Sequence, residues 1–318
     1  MDAHETFAPT PAPEELSLGE ELNRDFYAHS PSQYLRTRIT LLITFGDSRA
    51  PAHQAVSDGV QAWNLGAQFD ATPDEDETDE FAVVESISIM YLAAEALIRL
   101  FFAHVDGNSC PPLRLSSLTS YAKFKQKTAS LLTNPPDVDS LRRVFRGMSA
   151  PPSEVTEDMW AEDAEVLQFL VRRAAELLVN EPNVYNATKH GLAVQPRKSA
   201  MKLGSETDPL GVIIDHHGSS VRYLNKMPSD EVGVQHWRET VQFTFPSINL
   251  ATAIAFADEI DAVHAVAKCR LLDESGSISI RRRSLLKYLQ RVPFGANYTG
   301  LLSMAMNRDF QVAVSPVH

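Results

Sequence analysis

Residues 80–105 constrain this chain more than any other segment: an apolar stretch with opposite charges set into its middle. Most residues from Ser86 to Ala103 are apolar, yet Glu95 and Arg99 lie among them. A membrane span would place both charges in hydrocarbon, whereas four residues apart on a helix they can pair with each other. Apolar positions recur on more than one face, so the helix needs neighbours on several sides. The segment predicts the central helix of a helical bundle, with no membrane partner and a cytoplasmic location.

Charge and cysteine usage narrow the function classes. The 318 residues carry 29 Lys and Arg against 41 Asp and Glu, a net charge of −12. That balance argues against a broad nonspecific nucleic-acid coat but allows a local basic site. The 2 cysteines, Cys110 and Cys269, sit in no CxxC or Cys/His spacing. No metal site and no cofactor are expected; two free buried thiols are the reading, with one disulfide left open. No basic residue precedes Arg24, and Pro9, Pro11 and Pro13 punctuate the start. Residues 1–24 therefore read as a disordered tail, without the basic and apolar regions of a signal peptide.

Along the chain, residues 31–46 admit either helix or strand. A helix is predicted over 51–66, with Pro51 in its first turn, and a solvated acidic loop over 70–80. Further helices are expected over 117–132 and 137–148. After Pro151-Pro152, Ser153 or Thr156 can cap a long helix whose stripe is Trp160, Leu167, Leu170, Val171, Ala174 and Leu178. Pro182 fits a kink or the first turn of a new helix ending at His190, with Gly191 as stop. Residues 211–226 read as strand, turn, strand with Gly218-Ser219 as the turn. A strand over 237–245, helices over 249–272 and 279–291, and a last strand from Phe310 complete the pattern. The fold class is mainly α: a helical bundle over 25–194 and a smaller α+β region over 195–318.

Two local patterns admit bland readings. The run Ile213-Ile214-Asp215-His216-His217 copies the strand-end signature of the DHH phosphoesterases. The further carboxylates and histidines of a two-metal site are missing beside it, so a polar hairpin tip is the reading. Arg281, Arg282, Arg283, Lys287 and Arg291 make a basic helix, read as a solvated face or as a phosphate or partner surface.

The most informative constellation ends at His190. Asn183, Asn186 and His190 are spaced i, i+3 and i+7, which places them on one helix face. Asparagine is a poor choice for a helix interior, so this stripe needs a partner, a ligand or water. It could be a hydrogen-bonded polar helix end. Alternatively, His190 acts as general acid or base, Asn183 and Asn186 orient a substrate, and Lys189 holds an anion.

The run Tyr185-Asn186-Ala187-Thr188-Lys189-His190-Gly191, on a short helix after a long helix pair, resembles the helical fold called HEPN, for higher eukaryotes and prokaryotes nucleotide-binding. The resemblance covers residues 81–192. Many members are metal-independent ribonucleases that act as dimers, and others only bind. Members often carry an arginine four to six residues before the histidine, whereas here no arginine lies within six positions before His190. Some divergent members carry an Asn-x-x-Lys-His segment, as Asn186 to His190 does. The resemblance implies His190, Asn186 and Asn183 as catalytic residues and Lys189, Glu95 and Arg99 as substrate-binding residues. It also implies RNA as a partner, with a homodimer or a protein partner. A literal Arg-x4-His, Arg99 to His104, lies elsewhere, but its side chains point about 140° apart on a helix. Glu95 could orient the imidazole of His190, or fix packing through Arg99. Two functions follow: RNA binding with metal-independent cleavage, or a noncatalytic scaffold in which the stripe is a packed polar seam. Exposure discriminates them.

Overall fold

A computed structural model describes residues 13–47, 60–62, 65–67, 75–118, 120–189, 194–204, 212–228, 234–274, 277, 279–289 and 305–313. The order is α1 (Pro13–Tyr27), α2 (Gln33–Asp47), β1 (Val60–Ala62), β2 (Leu65–Ala67), α3 (Glu75–His104), α4 (Pro111–Ser117), α5 (Tyr121–Thr133), α6 (Val138–Arg146), α7 (Glu157–Asn180) and α8 (Pro182–Lys189). Then follow β3 (Val194–Gly204), β4 (Val212–Met227), β5 (Val234–Phe243), α9 (Pro246–Leu272), α10 (Ser284–Leu289) and β6 (Ala305–Ala313). The protein is mainly helical, with a small antiparallel sheet of order β3-β4-β5-β6.

The apolar segment becomes α3, the axis of the bundle. Ile89, Ala93, Ala94, Leu97, Ile98 and Ala103 are fully shielded from solvent. α9 lies along it with Ala253, Phe256, Ala257, Ile260 and Ala267 buried, small residues letting the helices approach closely. By length and composition α3 could cross a membrane; much of its apolar surface packs on the neighbouring helices. Val194, Val221 and Tyr223 of the sheet join the same core. The change of composition near residue 194 thus marks a switch from helix to strand inside one continuous core.

Several elements differ from their sequence readings. A helix begins at Pro13, inside the expected tail over 1–24. It is held because Tyr27 is fully buried and Asn23 donates to the Ser109 carbonyl at 2.7 Å. Where a helix is expected over 51–66, Val60–Ala62 and Leu65–Ala67 instead form a short antiparallel pair, Val60 opposite Ala67; residues 48–59, 63 and 64 lie outside the described residues. The acidic run over 70–80 is helical from Glu75, where carboxylates favour the positive end of the helix dipole. The Gly218-Ser219 turn does not form. β4 runs straight through it, Gly218 opposite Ser199 and Ser219 opposite Lys198, because the ladder with β3 satisfies the backbone there. Thr156 is the cap of α7, accepting from the Met159 amide at 3.3 Å.

A buried ion cluster joins the late helices. The side chains of Arg146 and Asp163 are 0% exposed and that of Glu259 is 1% exposed. Arg146 donates to both oxygens of Asp163 at 2.8 Å, to Glu259 at 2.7 and 3.4 Å, and to the Phe145 carbonyl at 2.9 Å. Arg281, read from sequence as part of a basic helix face, turns inward. Its amide donates to Asp163 at 2.7 Å, and its guanidinium pairs with Glu259 at 2.8 Å and Asp258 at 3.0 Å. Arg283 pairs with Glu165 at 2.8 Å.

Removing one member of such a cluster strands the others in low dielectric. Arg146→Ala is expected to lower stability by about 3–5 kcal/mol, read from urea unfolding. Arg282→Ala, at an exposed position of the same basic run, should change it by less than about 0.5 kcal/mol. Equal effects would show that burial of the charges is not what matters.

Candidate functional site

α8 is a two-turn helix set between α7 and β3. Pro182 opens it, where the missing amide hydrogen costs nothing. Pro182 therefore starts a new helix rather than kinking the old one. Its inner face is Val184, Tyr185, Ala187 and Thr188, all buried. Its outer face is Asn183, Asn186 and Lys189, all exposed. The two asparagines thus face outward, not into a packed seam. His190 lies outside the described residues.

Tyr185 fixes the orientation of the helix. Its ring stacks on Tyr91 with centroids 5.0 Å apart and planes 5° from parallel. Its hydroxyl donates to Glu95 Oε2 at 3.1 Å. Burial, then the Glu95 carboxylate, push this phenol above its ordinary range, so it stays a neutral donor. Lys189 Nζ sits 5.7 Å from the Tyr185 ring centroid, a cation held over an aromatic face.

The Glu95–Arg99 pair forms as the i, i+4 spacing requires, Arg99 Nε and Nη2 approaching Glu95 Oε1 at 2.8 and 2.7 Å. Arg99 also donates to the Leu118 carbonyl at 2.7 Å, and its guanidinium lies 4.2 Å from the Phe124 ring centroid. Among the described residues, Tyr185 is the side-chain partner that α8 offers Glu95. The structure assembles Glu95, Arg99 and Lys189 around Tyr185, with Asn183 and Asn186 on the adjoining surface. Tyr121, at the start of α5, is half-exposed at 51% and close enough to raise the Tyr185 phenol further.

Sequence reasoning missed Tyr185 as the organising side chain. A signal existed: the aromatic Tyr185, next to Asn186 but off the polar stripe, had no role in the reading of that stripe. The Arg-x4-His pattern separates as its geometry demands. Arg99 turns to Glu95, while His104 is 3% exposed on another side of α3. Arg270 approaches His104 Nδ1 at 3.1 Å and can only donate. Nε2 therefore carries the hydrogen and donates to the Tyr27 hydroxyl at 2.7 Å. No protein-family model, curated protein or solved structure matches this chain.

Chemically, the α8 face offers exposed amides that both donate and accept, one cation, and a neutral phenol locked behind them. These are the donors, acceptors and charge that recognition of a polar, anionic chain would require. Two measurements test its construction. Tyr185→Phe deletes a hydrogen bond to a charged group and should cost about 1.5–3 kcal/mol in urea unfolding; no change would remove Tyr185 as the anchor. His104 is held neutral by burial and by Arg270, with its pKa pushed down to about 3. The unfolded chain takes up this proton below about pH 6.5 and the folded one does not. This contribution to stability is present above pH 6.5 and declines as pH falls toward 3. In NMR titration the His104 imidazole should stay neutral, with hydrogen on Nε2, down to about pH 4; a midpoint near 6.5 would contradict the cluster.

Proposed function

We propose that this chain is an RNA-binding protein of HEPN-like helical type, and that the exposed side of α8 is its binding face. The observation that carries the reading is the outward placement of Asn183, Asn186 and Lys189 on a helix whose inner side is pinned by Tyr185. Amides read base edges and phosphate oxygens, and a lysine at a helix end supplies the charge attraction on which RNA binding depends. Half-exposed Tyr121 nearby offers a stacking surface suited to a single strand.

Cleavage is the catalytic form of this proposal. His190 would remove the ribose 2′-hydroxyl proton or protonate the leaving oxygen, with Lys189 beside the phosphate. One such histidine per chain suits a symmetric homodimer. A noncatalytic interaction role is the second reading. It is favoured by Arg99, whose guanidinium is spent on Glu95, the Leu118 carbonyl and Phe124 rather than held for a phosphate.

The test is binding of a mixed-sequence single-stranded RNA at several salt concentrations, followed by incubation with chelator. Wild type should bind with strong salt dependence. The combined variant Asn183→Ala, Asn186→Ala, Lys189→Ala should bind about ten-fold more weakly, with a salt slope shallower by about 0.7 from the lost lysine. Absence of salt-dependent binding overturns the reading. Fragments produced without metal by wild type and lost in a folded His190→Ala variant assign cleavage to His190; binding without fragments leaves the noncatalytic role.

A further inference from the structure

A second site lies on the other helices. Between the end of α6 and the last turns of α9 runs an open groove of about 470 Å³, within the roughly 300–1,000 Å³ of small-molecule sites. Its apolar part is Met148 and Val266; its polar part is Arg143 and Arg270, with Arg146 beneath. It shares no lining residue with the α8 face.

The groove exists because α6 stops sharply. Gly147 takes φ 73°, the left-handed conformation that ends the helix. A Cβ at Gly147 would stand 3.3 Å from a Val266 methyl, so the chain turns directly against α9.

The charges of the three arginines are used differently. Arg146 is neutralised by Asp163 and Glu259. Neither Arg143 nor Arg270 forms a direct ion pair among the described residues, although the Asp137 carboxylate lies within electrostatic reach of Arg143. Arg143 donates to Ser140 Oγ at 3.1 Å, and Arg270 to His104 Nδ1 at 3.1 Å. Both acceptors are neutral and orient the guanidiniums; Ser140 Oγ in turn donates to exposed Asp137 at 2.8 Å, which offsets Arg143 in part and leaves Arg270 uncancelled. Each arginine stands in the last turn of its helix, where the dipole offsets about half a charge and leaves the rest. No carboxylate is among the described residues that line the groove. In a chain of net charge −12, two oriented cations beside an apolar floor form a local exception.

We propose that this groove binds a small amphipathic anion: a carboxylate or phosphate head held by Arg143 and Arg270, with an apolar body on Met148 and Val266. The fork of a guanidinium matches both heads, and burial of the body supplies the rest of the affinity.

The test uses the full chain with decanoate, decyl phosphate, inorganic phosphate and decyltrimethylammonium, followed by calorimetry. A local readout comes from Cys269, which lines the groove and is exposed, while Cys110 is buried. Decanoate or decyl phosphate should bind saturably and slow alkylation of Cys269; preference for one over the other identifies the head. Arg143→Gln and Arg270→Gln should each weaken binding about ten-fold. Arg270→Gln also removes the donor to His104, so its fold is checked by circular dichroism; if it unfolds, Arg143→Gln decides alone. The proposal is overturned if neither anionic amphiphile protects Cys269 or if the folded arginine variants bind like wild type. It also fails if the cationic amphiphile or inorganic phosphate binds equally well.

Discussion

Arg146 is the point on which the architecture turns. Its five N–H groups meet five acceptors on Asp163, Glu259 and the Phe145 carbonyl, so a charge taken wholly out of water is left with no open donor. Desolvation makes such an arrangement costly unless each bond is made, which turns it into a geometric demand. α6, α7 and α9 must meet in one register for the demand to be met. Arg281 carries the network outward to Asp258, and Arg36 of α2 then binds Asp258 and Asp261 at 2.5 and 2.7 Å. Ser30 and Ser32 donate to the same Asp261 carboxylate. A chain of alternating charge thus runs from the buried centre to the turn between the first two helices.

Much of the local structure was legible because it depends on neighbours in sequence. The Glu95–Arg99 pair follows from its spacing; local chemistry narrows the cap to Ser153 or Thr156 and Pro182 to a kink or a helix start, and the structure takes the second of each. What was not legible depends on partners far away. The segment over 137–148 reads as a helix, and nothing local shows that Glu259 waits for Arg146 across 113 residues. Gly218-Ser219 has turn composition, yet β3 supplies a ladder that overrides it. Pro9, Pro11 and Pro13 suggest a tail, but the buried faces of Asn23 and Tyr27 outweigh them in the helix that follows.

The candidate site shows the same division. Spacing places Asn183 and Asn186 on one face of a helix, but cannot say which way that face turns. The direction is set by Tyr185, whose stacking on Tyr91 and bond to Glu95 consume the inner side. Once the phenol is fixed, the amides and Lys189 have only the surface left. The buried tyrosine and the exposed stripe are therefore one structural decision, and the polarity of the face is a consequence of an aromatic contact beneath it.

The ion relay also orders events in time. Arg36 leaves the ribosome long before Asp261, 225 residues later. At synthesis rates of about 5–20 residues per second, that interval is roughly 10–45 s. Until α9 is made, α3 has α7 as a long neighbour but lacks the helix that packs along it most extensively, and Arg146 and Asp163 lack Glu259 and Arg281. The nascent chain must carry an unfinished bundle through that interval, with apolar surface open to chaperones. The last long helix acts as the closing member, and a truncation before it removes far more than its own length.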